Sequence, residues 1–217
     1  MFVSALLIAT LPVSQSAISD IARAEQDRLN TCIELTDTDP NAAYDDSLDW
    51  LTAGNRPMAR YCNAIALLAL ENFEEGAARL EALATAPDPI SIEDRALYMA
   101  QAGNAWLTAN YPEAAITALS EAIRFQKYDP DIFKDRAAAY LALKRWDEGL
   151  QDLNAALDLV PVDAEALALR ARAYLATEQL DLAKTDMEAA LRQDPENIEI
   201  LVLRGDIREA IRLSRVR

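Results

Sequence analysis

The side chains that could do chemistry in this sequence are few. Two cysteines, Cys32 and Cys62, are the only thiols, and there is no histidine. The missing histidine removes the commonest general base and the commonest metal ligand together. Two sulfurs without an imidazole make a poor zinc site. Cys32 and Cys62 therefore have two roles open to them. They form a disulfide if the chain meets an oxidising compartment, or they stay as separately buried thiols that behave as small apolar groups. Neither a G-x-S-x-G elbow nor a phosphate-cradling glycine loop is present. Acidic pairs such as Asp45-Asp46 and Glu74-Glu75 fall on predicted outer helix faces or turns, where charge is ordinarily solvated surface. With no positioned base and no ligand set, the sequence predicts no enzyme activity, no cofactor and no metal.

The cations are better organised. Arg136, Arg170 and Arg204 recur at intervals of 34 residues, and the ladder belongs to a longer repeat. Arg136, Ala137, Tyr140, Gly149, Leu153, Ala156, Leu157 and Pro161 are answered 34 residues on by Arg170, Ala171, Tyr174, Ala183, Met187, Ala190, Leu191 and Pro195. A fixed period of this length marks a stacked helical array. Each copy reads as two amphipathic helices. Ile132, Phe133, Arg136, Ala137, Tyr140 and Leu141 share one face of the first, and Leu150, Leu153, Ala156, Leu157 and Val160 one face of the second. Small residues stand where the helix axes must approach: Ala137 and Ala171 on first helices, Gly149 and Ala183 on second helices. Pro161 and Pro195 end each copy, because proline lacks the N–H that a helix interior needs. Asp163 and Asp194 stand near the next helix starts as candidate caps. One pair cannot bury its apolar face alone, so neighbours must stack.

This pattern of small residues, Tyr, Ala and Pro resembles the tetratricopeptide repeat (TPR). The resemblance covers about residues 57 to 213 and is strongest in the last two full repeats. It implies an all-α, right-handed α-solenoid of antiparallel helix pairs with a C-terminal capping helix. In the TPR register the Arg136, Arg170 and Arg204 position points between helices, so pairing with Asp or Glu of the neighbouring repeat is expected over lining a groove. The register also implies that first helices line a concave groove, with Tyr61, Asn104, Lys134 and Arg172 as partner-binding residues. Lys134 and Arg172 resemble two scattered pieces of the clamp with which chaperone-binding TPR domains grip a terminal carboxylate. The full clamp is missing.

Residues 1–17 resemble a secretory signal peptide, with an apolar run from Phe2 to Leu11, Pro12, and small residues ahead of a possible cut. The opening region carries no Lys or Arg, and the run is too short to span a bilayer. Residues 18–55 read as a degenerate first helix pair with Trp50 as an apolar plug. Residues 56–90 and 91–128 read as TPR-like repeats, and 129–162 and 163–196 as TPR repeats. Residues 197–217 read as a capping helix and tail. Pro87-Asp88-Pro89 interrupts the period as an insertion of about five residues and is the expected hinge or irregular turn. Ser91 is placed to cap the helix that follows. Cys32 and Cys62 fall on consecutive first helices at similar height, which makes a bridge geometrically plausible.

The formal charge of −15 argues against nucleic acid and against an anionic membrane surface. The expected function is a protein–protein interaction scaffold that binds a peptide or protein in its groove, in the periplasm or otherwise exported. The alternative is a cytoplasmic TPR adaptor or regulatory subunit in complex assembly. No small-molecule substrate and no stable membrane span are expected.

Overall fold

In the computed structural model, which describes residues 15–215, every regular element is a helix. The order is α1 (Gln15–Thr38), α2 (Pro40–Ala53), α3 (Pro57–Ala69), α4 (Phe73–Thr85), α5 (Ile92–Thr108), α6 (Pro112–Phe125), α7 (Pro130–Ala142), α8 (Trp146–Leu159), α9 (Ala164–Ala176), α10 (Leu180–Gln193) and α11 (Ile198–Ser214). Odd-numbered helices are the first members of each pair, and α11 is a first helix with no described helix after it. The predicted export signal falls largely on residues 1–14, which lie outside the described residues. No described helix is long and apolar enough to cross a membrane.

Helix starts follow local chemistry. Asp39, Ser91 and Asp163 each accept a backbone N–H from three residues on, satisfying a donor that the helix cannot. Proline occupies the first turn of α2, α3, α6 and α7, where no N–H is required. Asp194 departs from expectation. It ends α10, while Asn197 caps α11 by accepting from Glu199 and Ile200 N–H at 3.0 and 3.2 Å. Asp194 instead accepts from the Asn197 side-chain amide at 3.0 Å.

The turn inside each of the four pairs from α3–α4 to α9–α10 is the same. Glu71, Asn110, Lys144 and Glu178 all take left-handed backbone angles, with φ between 58° and 65°. The residue after each donates back across the turn, as Arg145 N–H does to the Tyr140 carbonyl at 2.9 Å.

From α3 to α9 each first helix packs on its own second helix and on the second helix before it, and α11 packs on α10. Alanines fill these seams, with Ala64, Ala77, Ala115, Ala137, Ala171 and Ala183 wholly buried. A Cβ on Gly149 would lie 2.1 Å from Leu141 Cδ1, and one on Gly76 would lie 2.4 Å from Leu68 Cδ2, so a larger residue there requires these leucines to move. One core cluster runs from Leu29 and Trp50 to Ile132, and a second from Ala137 to Ile207. Between the first two pairs α1 packs on α3, and the Cys32 and Cys62 sulfurs lie 1.98 Å apart, at disulfide distance.

The Pro87–Pro89 segment is an irregular turn, but it is tied down. Arg95 donates to the carbonyls of Ala84, Ala86 and Asp88, and Arg60 pairs with the Asp88 carboxylate. Two arginines and a continuous α4–α5 packing surface argue against the hinge that the insertion suggested.

Candidate partner-binding site

Two members of the Arg ladder, Arg136 and Arg170, are structural, as their register implied, with one correction about their partners; the third, Arg204, pairs with no described residue. Arg136 makes a bidentate pair with Asp152, both contacts at 2.7 Å, and Arg170 does the same with Asp186 at 2.6 and 2.9 Å. Both carboxylates belong to the second helix of the same repeat, not to a neighbour. The preceding repeat supplies only a neutral acceptor: the Ser120 hydroxyl for Arg136 and the Asn154 amide oxygen for Arg170, at 3.0 and 2.8 Å. Hydrogen bonding to Asp152 raises the Arg136 guanidinium above its ordinary value despite burial, and Asp186 does so for Arg170. Tyr140 and Tyr174 lie beneath these guanidinium groups.

First helices follow one another along the inner face, with α5 beside α7, α7 beside α9 and α9 beside α11. The four residues expected there fare differently. Tyr61 is buried: its ring stacks on Tyr98 at 4.7 Å, and its hydroxyl accepts from the Gln101 amide at 3.0 Å. Burial raises both phenols, that of Tyr98 to about 12. Tyr61 thus joins α3 to α5 and offers nothing to a ligand, because Tyr98 covers it. Lys134 is also withdrawn. Its side chain is 10% exposed, and its ammonium contacts Asp131, Asp163 and Glu165 at 2.8, 2.9 and 3.1 Å. Burial alone would lower its pKa, but the three carboxylates outweigh that and leave it raised.

Asn104 and Arg172 are exposed on the inner face, yet both have partners. Asn104 donates to the Asp135 carboxylate at 2.8 Å, while burial raises the Asp135 carboxyl above its ordinary value. Arg172 pairs with Glu199 at 2.9 Å. These contacts stitch α5 to α7, α7 to α9 and α9 to α11. The polar residues expected to grip a partner are thus largely occupied in joining consecutive first helices.

The most exposed charges on this face are acidic, and each pairs with a cation of the face, Asp131 and Glu165 with Lys134 and Glu199 with Arg172. Asp131, Glu165 and Glu199 recur at the 34-residue spacing and are 75%, 69% and 78% exposed at the rim of the inner face. Between α9 and α11 lie two depressions. One holds Ala168, Leu169 and Ile200 beside Glu165 and Arg172. The other holds Leu175, Val202 and Leu203 beside Arg172 and Asp206. The arrangement is an apolar floor with mostly anionic edges and one accessible guanidinium. It can hold a chain segment by apolar contact and charge. Among the described residues, no cluster of acidic or thiol groups is placed to hold a metal.

The sequence matches no protein-family model and no curated relative. Solved structures do match. The first TPR domain of human RPAP3 is 28% identical, covering 55% of this chain and 94% of that one with a TM-score of 0.54. The first TPR of Spaghetti (RPAP3) bound to the HSP90 peptide SRMEEVD is also 28% identical, covering 54% and 92% with a TM-score of 0.52. TTC0263, a thermophilic TPR protein of Thermus thermophilus, is 23% identical, covering 86% and 98% with a TM-score of 0.58. The fold is a TPR-like α-solenoid.

Proposed function

We propose that this protein is an interaction scaffold whose inner face at α9 and α11 receives an extended segment of another protein, with apolar side chains and basic flanks. The acidic rim carries this reading: three exposed carboxylates edge the face, while Lys134 is buried among its own acids. The RPAP3 structure that covers about half of this chain holds an HSP90 peptide. Here the cations that would receive such an acidic tail are engaged, so like charge would oppose it. Leu175 and Val202 offer apolar contact, and Glu165, Glu199 and Asp206 suit Lys or Arg of the partner.

We also propose that the protein works in an exported, oxidising compartment, with Cys32 and Cys62 bridged. The geometry supports the bridge, with Cα atoms 6.0 Å apart, inside the range a disulfide spans without backbone movement.

Selection of a random dodecapeptide phage library on the protein tests the first proposal. Enrichment of peptides with Lys or Arg flanking apolar positions, and loss of their binding to Val202→Glu, is the expected result. Enrichment of acidic-tailed peptides, or equal binding to Val202→Glu, would overturn it.

A further inference from the structure

Helix α11 carries the two features with which the other first helices receive their second helix, and in α11 neither is filled. Arg204 stands in the register of Arg136 and Arg170, each of which clamps an aspartate sixteen residues further on. Among the described residues Arg204 makes no hydrogen bond or ion pair. Gly205 stands in the register of Gly103, Ala137 and Ala171, which are buried at helix crossings. A Cβ on Gly103 would meet Leu119 at 2.4 Å, whereas one on Gly205 would meet nothing within 4 Å. A mid-helix glycine costs about 1 kcal/mol relative to alanine, so α11 is weakened for a close approach that no described residue makes.

Beside this position, α10 and α11 enclose a depression of about 590 Å³. Met187, Leu191, Ile207 and Ile211 contribute its apolar wall. Arg192, Arg204 and Arg208, beside a Lys184–Glu188 pair, make its edge net cationic, in a chain whose net charge is −15. The local charge is opposite to that of the acidic inner face.

We propose that this open face of α11 is a docking surface for an amphipathic helix of a partner protein. The internal repeats specify its chemistry. Gly149, Asp152, Leu153 and Ala156 on α8, and Ala183, Asp186, Met187 and Ala190 on α10, present a small residue, an aspartate, a Leu or Met and an alanine at the same spacing. A partner helix with the pattern small-x2-Asp-[Leu/Met]-x2-Ala sets its small residue near Gly205 and its carboxylate on Arg204. Its Leu or Met then enters the apolar depression. Net negative charge on the partner helix matches Arg192 and Arg208.

The probe for this surface is a fluorescein-labelled, hydrocarbon-stapled peptide with the sequence of residues 146–159, titrated with the full chain by fluorescence anisotropy. Saturable binding is expected. It should weaken at least about tenfold with Arg204→Glu, with Gly205→Leu, or with lysine replacing the peptide's aspartate at position 152. Lys127→Glu, an equal charge change in the exposed turn between α6 and α7, should leave it unchanged. Both α11 substitutions sit outside the buried core, and circular dichroism will show that they fold. Absence of saturable binding up to about 1 mM would overturn the proposal, as would binding indifferent to both α11 substitutions. Concentration-dependent self-association abolished by those substitutions would also overturn it, by making a second copy the occupant.

Discussion

Replacing Arg136 or Arg170 by methionine while leaving the partner aspartate in place gives a direct measure of what joins the two helices of a repeat. Asp152 is 6% exposed and Asp186 is 9% exposed, and each receives two N–H groups from its arginine. Removing the arginine strands a nearly dry carboxylate, and breaking a buried pair in this way costs about 3–5 kcal/mol. A domain holds only about 5–15 kcal/mol in total, so either change should consume about a fifth of it or more. Arg204 is the internal control: with no partner to strand, Arg204→Met should cost under about 0.5 kcal/mol. Urea unfolding followed by far-UV circular dichroism reads the difference. Arg136→Met and Arg170→Met should lower the midpoint by roughly 1–2 M, and Arg204→Met should not move it measurably. Replacing both members, as in Arg170→Met with Asp186→Leu, should recover most of the loss, because an apolar pair of similar volume often matches a buried ion pair. A midpoint for Arg136→Met within error of the parent, or an equal shift for Arg204→Met, would refute the reasoning.

Three further outcomes follow from other contacts. Cys32→Ser with Cys62→Ser should destabilise by about 3–4 kcal/mol in the chain-entropy view of a 30-residue loop, seen as a lower thermal midpoint. An unchanged midpoint in the oxidised parent and the variant would count against the bridge. Lys144→Gly should stabilise by up to about 1 kcal/mol, since Lys144 holds φ at 58°, where glycine alone avoids a Cβ penalty. Alanine at the same position should give no such gain. The third outcome is a pH dependence at Asp163. Burial would raise its carboxyl, but the Ala166 N–H and Lys134 hold it below its ordinary value. Its contribution to stability is therefore complete above about pH 4 and lost as pH falls through the lowered folded value. Asp163→Asn should make the acid-side loss of stability shallower in urea titrations between about pH 5 and 3. Parallel slopes for the parent and the variant would contradict this.

The fold was largely legible because its cause is periodic. Buried alanines, glycine crossings and closing prolines repeat at 34 residues, and each has one geometric meaning wherever it falls. The inner face was harder to read because register says which way a residue points and not what meets it there. Tyr61 occupies a groove position, but Tyr98 from the next first helix lies over it. Lys134 points inward and is then surrounded by acids 3, 29 and 31 residues away, a convergence that only the stacking of α7 on α9 creates. The acidic rim was visible in principle, since Asp131, Glu165 and Glu199 follow the same 34-residue spacing as the arginines. The left-handed turn residues Asn110, Lys144 and Glu178 also keep that spacing, yet only Asn110 is of a type that favours positive φ, and Lys144 and Glu178 give no hint of it.

The proposed partner segment lies along the inner face at α9 and α11. Methyl-labelled NMR of the protein, alone and saturated with a library-selected basic-apolar peptide, tests that placement most directly. Shifts at the Leu169, Leu175 and Val202 methyls, with the exposed Leu159 and Leu182 of the second helices unmoved, are the predicted result. Shifts confined to Leu159 and Leu182, with Val202 unmoved at saturation, would contradict it.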